Sequence, residues 1–80
     1  MIAVEVRLFA SLQKYYPDLG IGEALNITPD DEAKLGDLLD ELKVPKEEIV
    51  IVMVNGKREE EDYLLQDGDR IGIFPLIAGG

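Results

Sequence analysis

Residues Ile2 to Phe9 alternate between two faces, with Ile2, Val4, Val6 and Leu8 on one side and Ala3, Glu5, Arg7 and Phe9 on the other. A period of two rich in β-branched residues predicts a strand with one buried face. Ser11 to Tyr16 shows no clean period. Tyr15, Tyr16 and Leu19 are expected to cover an open end of the core, and Pro17, Gly20 and Gly22 mark a loop. Glu23 to Thr28 predicts a second strand with Leu25 and Ile27 facing inward. The long connection between the two is compatible with a hairpin.

Thr28-Pro29-Asp30-Asp31 has the composition of a helix start: a capping residue, a proline for the first helical position, and acids for the first turn. Leu35, Leu38, Leu39 and Leu42 follow at helical spacing and form one apolar stripe. Gly36 weakens the helix by roughly 1 kcal/mol relative to Ala. The helix is therefore expected to start between Pro29 and Lys34, and Pro45 ends it.

Ile49 to Val54 is apolar at every position, which predicts a strand central to a sheet and covered on both faces. Asn55-Gly56 predicts a tight turn, because both residues tolerate positive φ. Lys57 and Arg58 begin the return strand. Glu59 to Asp62 reads as a solvated acidic run, and Tyr63-Leu64-Leu65 as a short turn that drops its leucines into the core. Asp67-Gly68-Asp69 is another turn. Ile71 and Ile73, extending toward Phe74, make the last strand, and Pro75 ends its hydrogen bonding. The order strand, strand, helix, strand, short strand, strand predicts an α+β domain, with one helix packed across a mixed sheet.

Composition supports this and narrows the function. Eighty residues make one domain, and a chain of this size buries only about 60–65% of its unfolded surface. The 46% hydrophobic content supplies the core without help from disulfides, since there is no cysteine. The longest apolar run is too short to span a membrane. Glu5 and Arg7 in the first apolar stretch do not suit a secretory leader. A soluble cytoplasmic protein is the simplest expectation. The net charge of −9 argues against nucleic acid and favours basic partner surfaces.

Little chemistry is on offer in the body of the chain. With no His and no Cys, there is no general base or thiol nucleophile of the usual kind, and Ser11 has no triad to join. Gly20-Ile21-Gly22 lacks the remaining glycine and the context of a phosphate loop. Asp30-Asp31-Glu32, Glu59 to Asp62 and Asp67-Gly68-Asp69 lack calcium-loop spacing. No metal or cofactor site is expected.

What remains is the tail. Residues 1–75 are expected to form the domain and 76–80 a flexible tail. After Phe74-Pro75 the side chains shrink through Leu76, Ile77, Ala78, Gly79 and Gly80. Exposed apolar residues on an acidic protein suit burial by a partner, and glycine permits close backbone approach. The taper fits a narrow channel that delivers the α-carboxylate of Gly80, a group with an ordinary pKa of about 3.3–3.7.

From end to end the chain resembles the small subunit of molybdopterin synthase and, more broadly, the ubiquitin-like sulfur carriers. The resemblance rests on Val4-Glu5-Val6-Arg7-Leu8-Phe9-Ala10, on Leu35-Gly36-Asp37-Leu38-Leu39-Asp40-Glu41-Leu42, and on Val52-Met53-Val54-Asn55-Gly56-Lys57. Leu65 through Pro75 and the terminal Gly79-Gly80 complete it. It implies a β-grasp fold with a mixed sheet of four to five strands. It also implies a sulfur-carrying cycle in which the chain binds no cofactor and is not an enzyme on its own. An ATP-dependent activating enzyme adenylates Gly80, a sulfur donor converts it to a thiocarboxylate, and the large synthase subunit takes the sulfur for a pterin precursor. Gly79 then lets the tail thread, and Phe74, Pro75, Leu76, Ile77 and Ala78 dock against the partner. The acidic surface would meet basic residues there.

Two positions depart from the family: Leu76 stands where a second proline is common, and Lys34 where the helix often opens with Thr. The first leaves other carrier roles open, in thiamine, tungsten-pterin or tRNA-thiolation pathways. A ubiquitin-like modifier conjugated through Gly80, or an interaction domain with an incidental Gly-Gly end, are readings of other classes.

Overall fold

The computed structural model describes residues 1–20 and 22–75. Its elements are β1 (Val4–Leu8), β2 (Leu25–Ile27), α1 (Leu35–Leu42), β3 (Ile49–Val54), β4 (Lys57–Arg58) and β5 (Arg70–Pro75). Short 3-10 turns occupy Ala10–Tyr15 and Lys46–Glu48. The sheet runs β2-β1-β5-β3-β4. β1 and β5 are parallel, and the other pairs are antiparallel. This is the expected mixed sheet of a β-grasp domain, five-stranded with one main helix.

The alternation of β1 holds: Val4, Val6 and Leu8 are buried, and Glu5 and Arg7 are not. On the same face lie Val52 and Val54 of β3 and Ile71 and Ile73 of β5, packed with the leucine stripe of α1. Tyr15 and Tyr16 close one end of this core, and the Tyr16 hydroxyl donates to the carbonyl of Leu42 at 3.0 Å.

The expectation for β3 is corrected. The central strand is β5, flanked by β1 and β3, while β3 has only two-residue β4 outside it. Val50 is 48% exposed, and the face of β3 away from α1 is only partly covered. An all-apolar strand needs two covered faces only if a second layer exists, and this domain has helix on one side alone.

The helix begins at the late end of the expected range. Thr28-Pro29 does not cap it; Lys34 does, with φ −102° and ψ 163°. The Lys34 side chain makes no capping hydrogen bond, and instead the Asp37 carboxylate accepts from the Lys34 backbone N–H at 3.0 Å. That is half of a capping box, supplied by the acid in the first turn. The helix closes at Lys43 in the left-handed region, ahead of buried Val44 and Pro45.

Leu65 enters the core, but Leu64 is 46% exposed, correcting the expectation for both leucines. Leu64 bridges to Lys34 in extended conformation, and extended backbone sends neighbouring side chains to opposite sides.

Gly36 has a tertiary reason. Its N–H donates to the Glu61 carbonyl at 2.9 Å. An added Cβ would lie 3.1 Å from Glu61 Cβ and 3.3 Å from its carbonyl oxygen. Gly36→Ala is therefore expected to lower stability by about 1 kcal/mol net, because overpacking outweighs the gain in helix propensity. A lowered denaturant midpoint at unchanged slope is the measurement.

Candidate functional site

The strand that ends in Phe74-Pro75 is anchored at its start by the turn before it. Before β5, Gly68 adopts φ +85°, a conformation that calls for glycine. Its N–H donates to the Ala3 carbonyl at 2.8 Å, and Asp67 Oδ1 accepts the Ala3 N–H at 2.8 Å. These bonds tie the turn to the chain entering β1.

Asp69 is the one buried charged residue among those described, at 4% exposure. Its Oδ1 accepts from Asn55 Nδ2 at 2.8 Å. Its Oδ2 accepts from the Tyr63 hydroxyl at 2.9 Å and the Gln66 N–H at 2.8 Å. Burial, with the hydrogen bond to Asp69 and its charge, pushes the Tyr63 hydroxyl up to about 12, so it remains a donor at neutral pH. Asn55, at φ +53° in the β3–β4 turn, also accepts the Arg70 N–H at 2.9 Å and donates its own N–H to the Arg70 carbonyl at 2.8 Å. Asp67-Gly68-Asp69 is thus a structural lock joining three loops.

At its other end β5 reaches the two predicted partner-binding residues that are described. Pro75 is buried and pairs with Ile49, so the strand includes it instead of stopping before it. Phe74 pairs with Ile51 and points to the face of the sheet away from α1. There it stacks on Phe9, with ring centroids 4.5 Å apart and rings parallel. Leu76, Ile77, Ala78, Gly79 and Gly80 lie outside the described residues.

Nothing in the local sequence around Phe9 marks it as a site residue. The alternation of β1 already placed it on the face opposite the core, but only the β1–β5 pairing brings it to Phe74. The charged side chains of that face include Arg7, Arg70 and Glu5. Arg7 is held by the Gly22 carbonyl at 3.1 Å and lies 3.4 Å from Glu5. The acidic groups Asp37, Asp40 and Glu41 belong to the helix side. Among the described residues, no group of three or more His, Cys, Asp or Glu side chains is placed to hold a metal ion. No helix among them is long and apolar enough to cross a membrane.

A family model described as the ThiS family matches residues 6–80. No curated protein matches the sequence. Among solved structures, the chain is similar to a Pyrococcus furiosus protein described as molybdopterin converting factor, subunit 1. The two are 25% identical with a TM-score of 0.78, over 96% of this chain and 100% of that one. It is similar to small archaeal modifier protein 1 of Methanosarcina acetivorans, at 26% identity and TM-score 0.70, over 100% of this chain and 98% of that one. A chain from the complex of subunits 1 and 2 of the molybdopterin-converting factor of Helicobacter pylori is 26% identical. It has a TM-score of 0.64, over 99% of this chain and 100% of that one.

Proposed function

The chain belongs to the ThiS family of small ubiquitin-like carriers, and on that premise we propose that it carries sulfur for molybdenum cofactor biosynthesis. The observation that supports this reading is the placement of Phe74-Pro75. They end the central strand, which is locked at its start and paired on both edges, immediately ahead of Leu-Ile-Ala-Gly-Gly. A rigid body thus presents a short tapering segment from a fixed root, and rigidity at the root limits the entropy lost on docking.

In the cycle the Gly80 carboxylate attacks the α-phosphorus of ATP on an activating enzyme, and pyrophosphate leaves. A sulfur donor delivering the equivalent of hydrosulfide then displaces AMP and leaves a thiocarboxylate. The large synthase subunit takes this sulfur for the pterin precursor, and Phe74, Pro75 and residues 76–79 contact the partner at each stage, the activating enzyme first and the large subunit after it. The chain is a carrier in this cycle and not its catalyst, and the cycle runs in the cytoplasm. The likeness to a protein named for molybdopterin conversion, and to a chain in its two-subunit complex, favours this acceptor.

A second reading, conjugation to lysines through Gly80, is favoured by the likeness to a small archaeal modifier protein. Intact-mass analysis of the protein from its native host separates the two. The expected species ends at Gly80 and carries one sulfur in place of one oxygen. A population found only as larger isopeptide-linked conjugates overturns the carrier reading in favour of the modifier.

A further inference from the structure

Gly72 sits in the middle of β5, the central strand, where a glycine forgoes side-chain packing and loses more backbone entropy than other residues. Its φ is not positive, so backbone conformation does not require it. Space does. An added Cβ would lie 3.1 Å from Phe9 Cε2 and 3.3 Å from Phe74 Cε1. Both rings lean over the same bare stretch of backbone, and they do so parallel to each other. The pairing of Gly72 with Arg7 on one side and Met53 on the other makes this the floor of the open face.

We propose that Gly72 is a positioning residue: its missing side chain lets Phe9 and Phe74 lie stacked against the sheet, and this holds Phe74 in the orientation that the activating enzyme contacts. The inference rests on the reading of Phe74 as a partner contact. It adds Gly72, which touches no reacting group and acts only through Phe74. A Cβ at 72 makes at least one ring edge give way slightly, a longer side chain displaces it further, and a displaced ring changes the shape of the surface around Phe74. The loss falls on binding and not on the chemistry of the carboxylate. It therefore shows in KM, with kcat unchanged.

The test is ATP–pyrophosphate exchange with the adenylating enzyme of the same host, using the full chain. Gly72→Val is expected to raise the KM for the carrier about ten-fold, with kcat within about two-fold. Phe9→Ala, which removes the supporting ring without crowding Phe74, raises KM in the same direction. Gly36→Ala, destabilised on the helix side, leaves KM unchanged and separates positioning from stability. Aromatic proton resonances of Phe9 and Phe74 lose their ring-current shifts in Gly72→Val, a readout that needs no partner. If Gly72→Val fails to fold, Gly72→Ala adds one carbon and is expected to raise KM about three-fold. A folded Gly72 variant with wild-type KM overturns the inference. Wild-type protein that is not adenylated at all overturns the proposed function instead, and the inference with it.

Discussion

Deleting Gly80 is expected to abolish sulfur transfer while leaving the unfolding transition of the domain where it was. The shortened chain still ends in a glycine carboxylate, but that group stands one residue, about 3.3–3.6 Å, short of the position reached by the full tail. Reacting groups misplaced by as little as 1 Å lose about 100-fold in rate, so the expected loss in adenylation and in pterin sulfuration exceeds that. Stability is expected to hold because every core residue among those described lies upstream of Pro75; the expected change is within about 0.5 kcal/mol. The two measurements are pterin synthesis with the large subunit and a denaturant midpoint. Undiminished synthesis sinks the carrier reading. A large fall in the midpoint would mean that tail and scaffold are not separable.

The other large effect lies at the opposite end of β5. Asp69→Ala removes the acceptor of three hydrogen bonds and leaves the Asn55 amide, the Tyr63 hydroxyl and the Gln66 N–H facing a void. Each buried donor without a partner costs about 1–3 kcal/mol. Some of these groups recover water, so the expected net loss is about 3–5 kcal/mol, a large part of the stability of a domain this size. Tyr63→Phe removes one donor and leaves the other two satisfied, and is expected to cost only about 1 kcal/mol. Urea unfolding of the pair decides the matter: equal midpoints for the two variants would show that Asp69 is not the hub described.

The difference between what was legible and what was not follows range. The strand alternation of Val4, Val6 and Leu8, the leucine stripe of α1 and the Asn55-Gly56 turn are local patterns, and each was readable from neighbouring residues. Asp69 reads locally as part of a turn, because its burial depends on Asn55 and Tyr63, which belong to other loops. From sequence β3 reads as central, because hydrophobicity counts apolar positions and does not say which strand has two neighbours. Thr28-Pro29 resembled a helix start, yet Pro29 is buried after β2 and the helix waits for Lys34. At the site, Phe74 and Pro75 stood out through their place before the tail. Phe9 and Gly72 did not, since their partnership exists only across the β1–β5 pairing.

That pairing also has a consequence for how the protein is made. The first strand in the chain finds its parallel partner in the last, and the last strand is the middle of the sheet. Contacts of such long range form slowly, and none of them is possible until residues 70–75 have left the ribosome. A chain cut short anywhere before β5 lacks its central strand and has no sheet to complete. Synthesis therefore yields a folded domain only once β5 has emerged, so a fragment truncated before β5 presents no native surface to any partner.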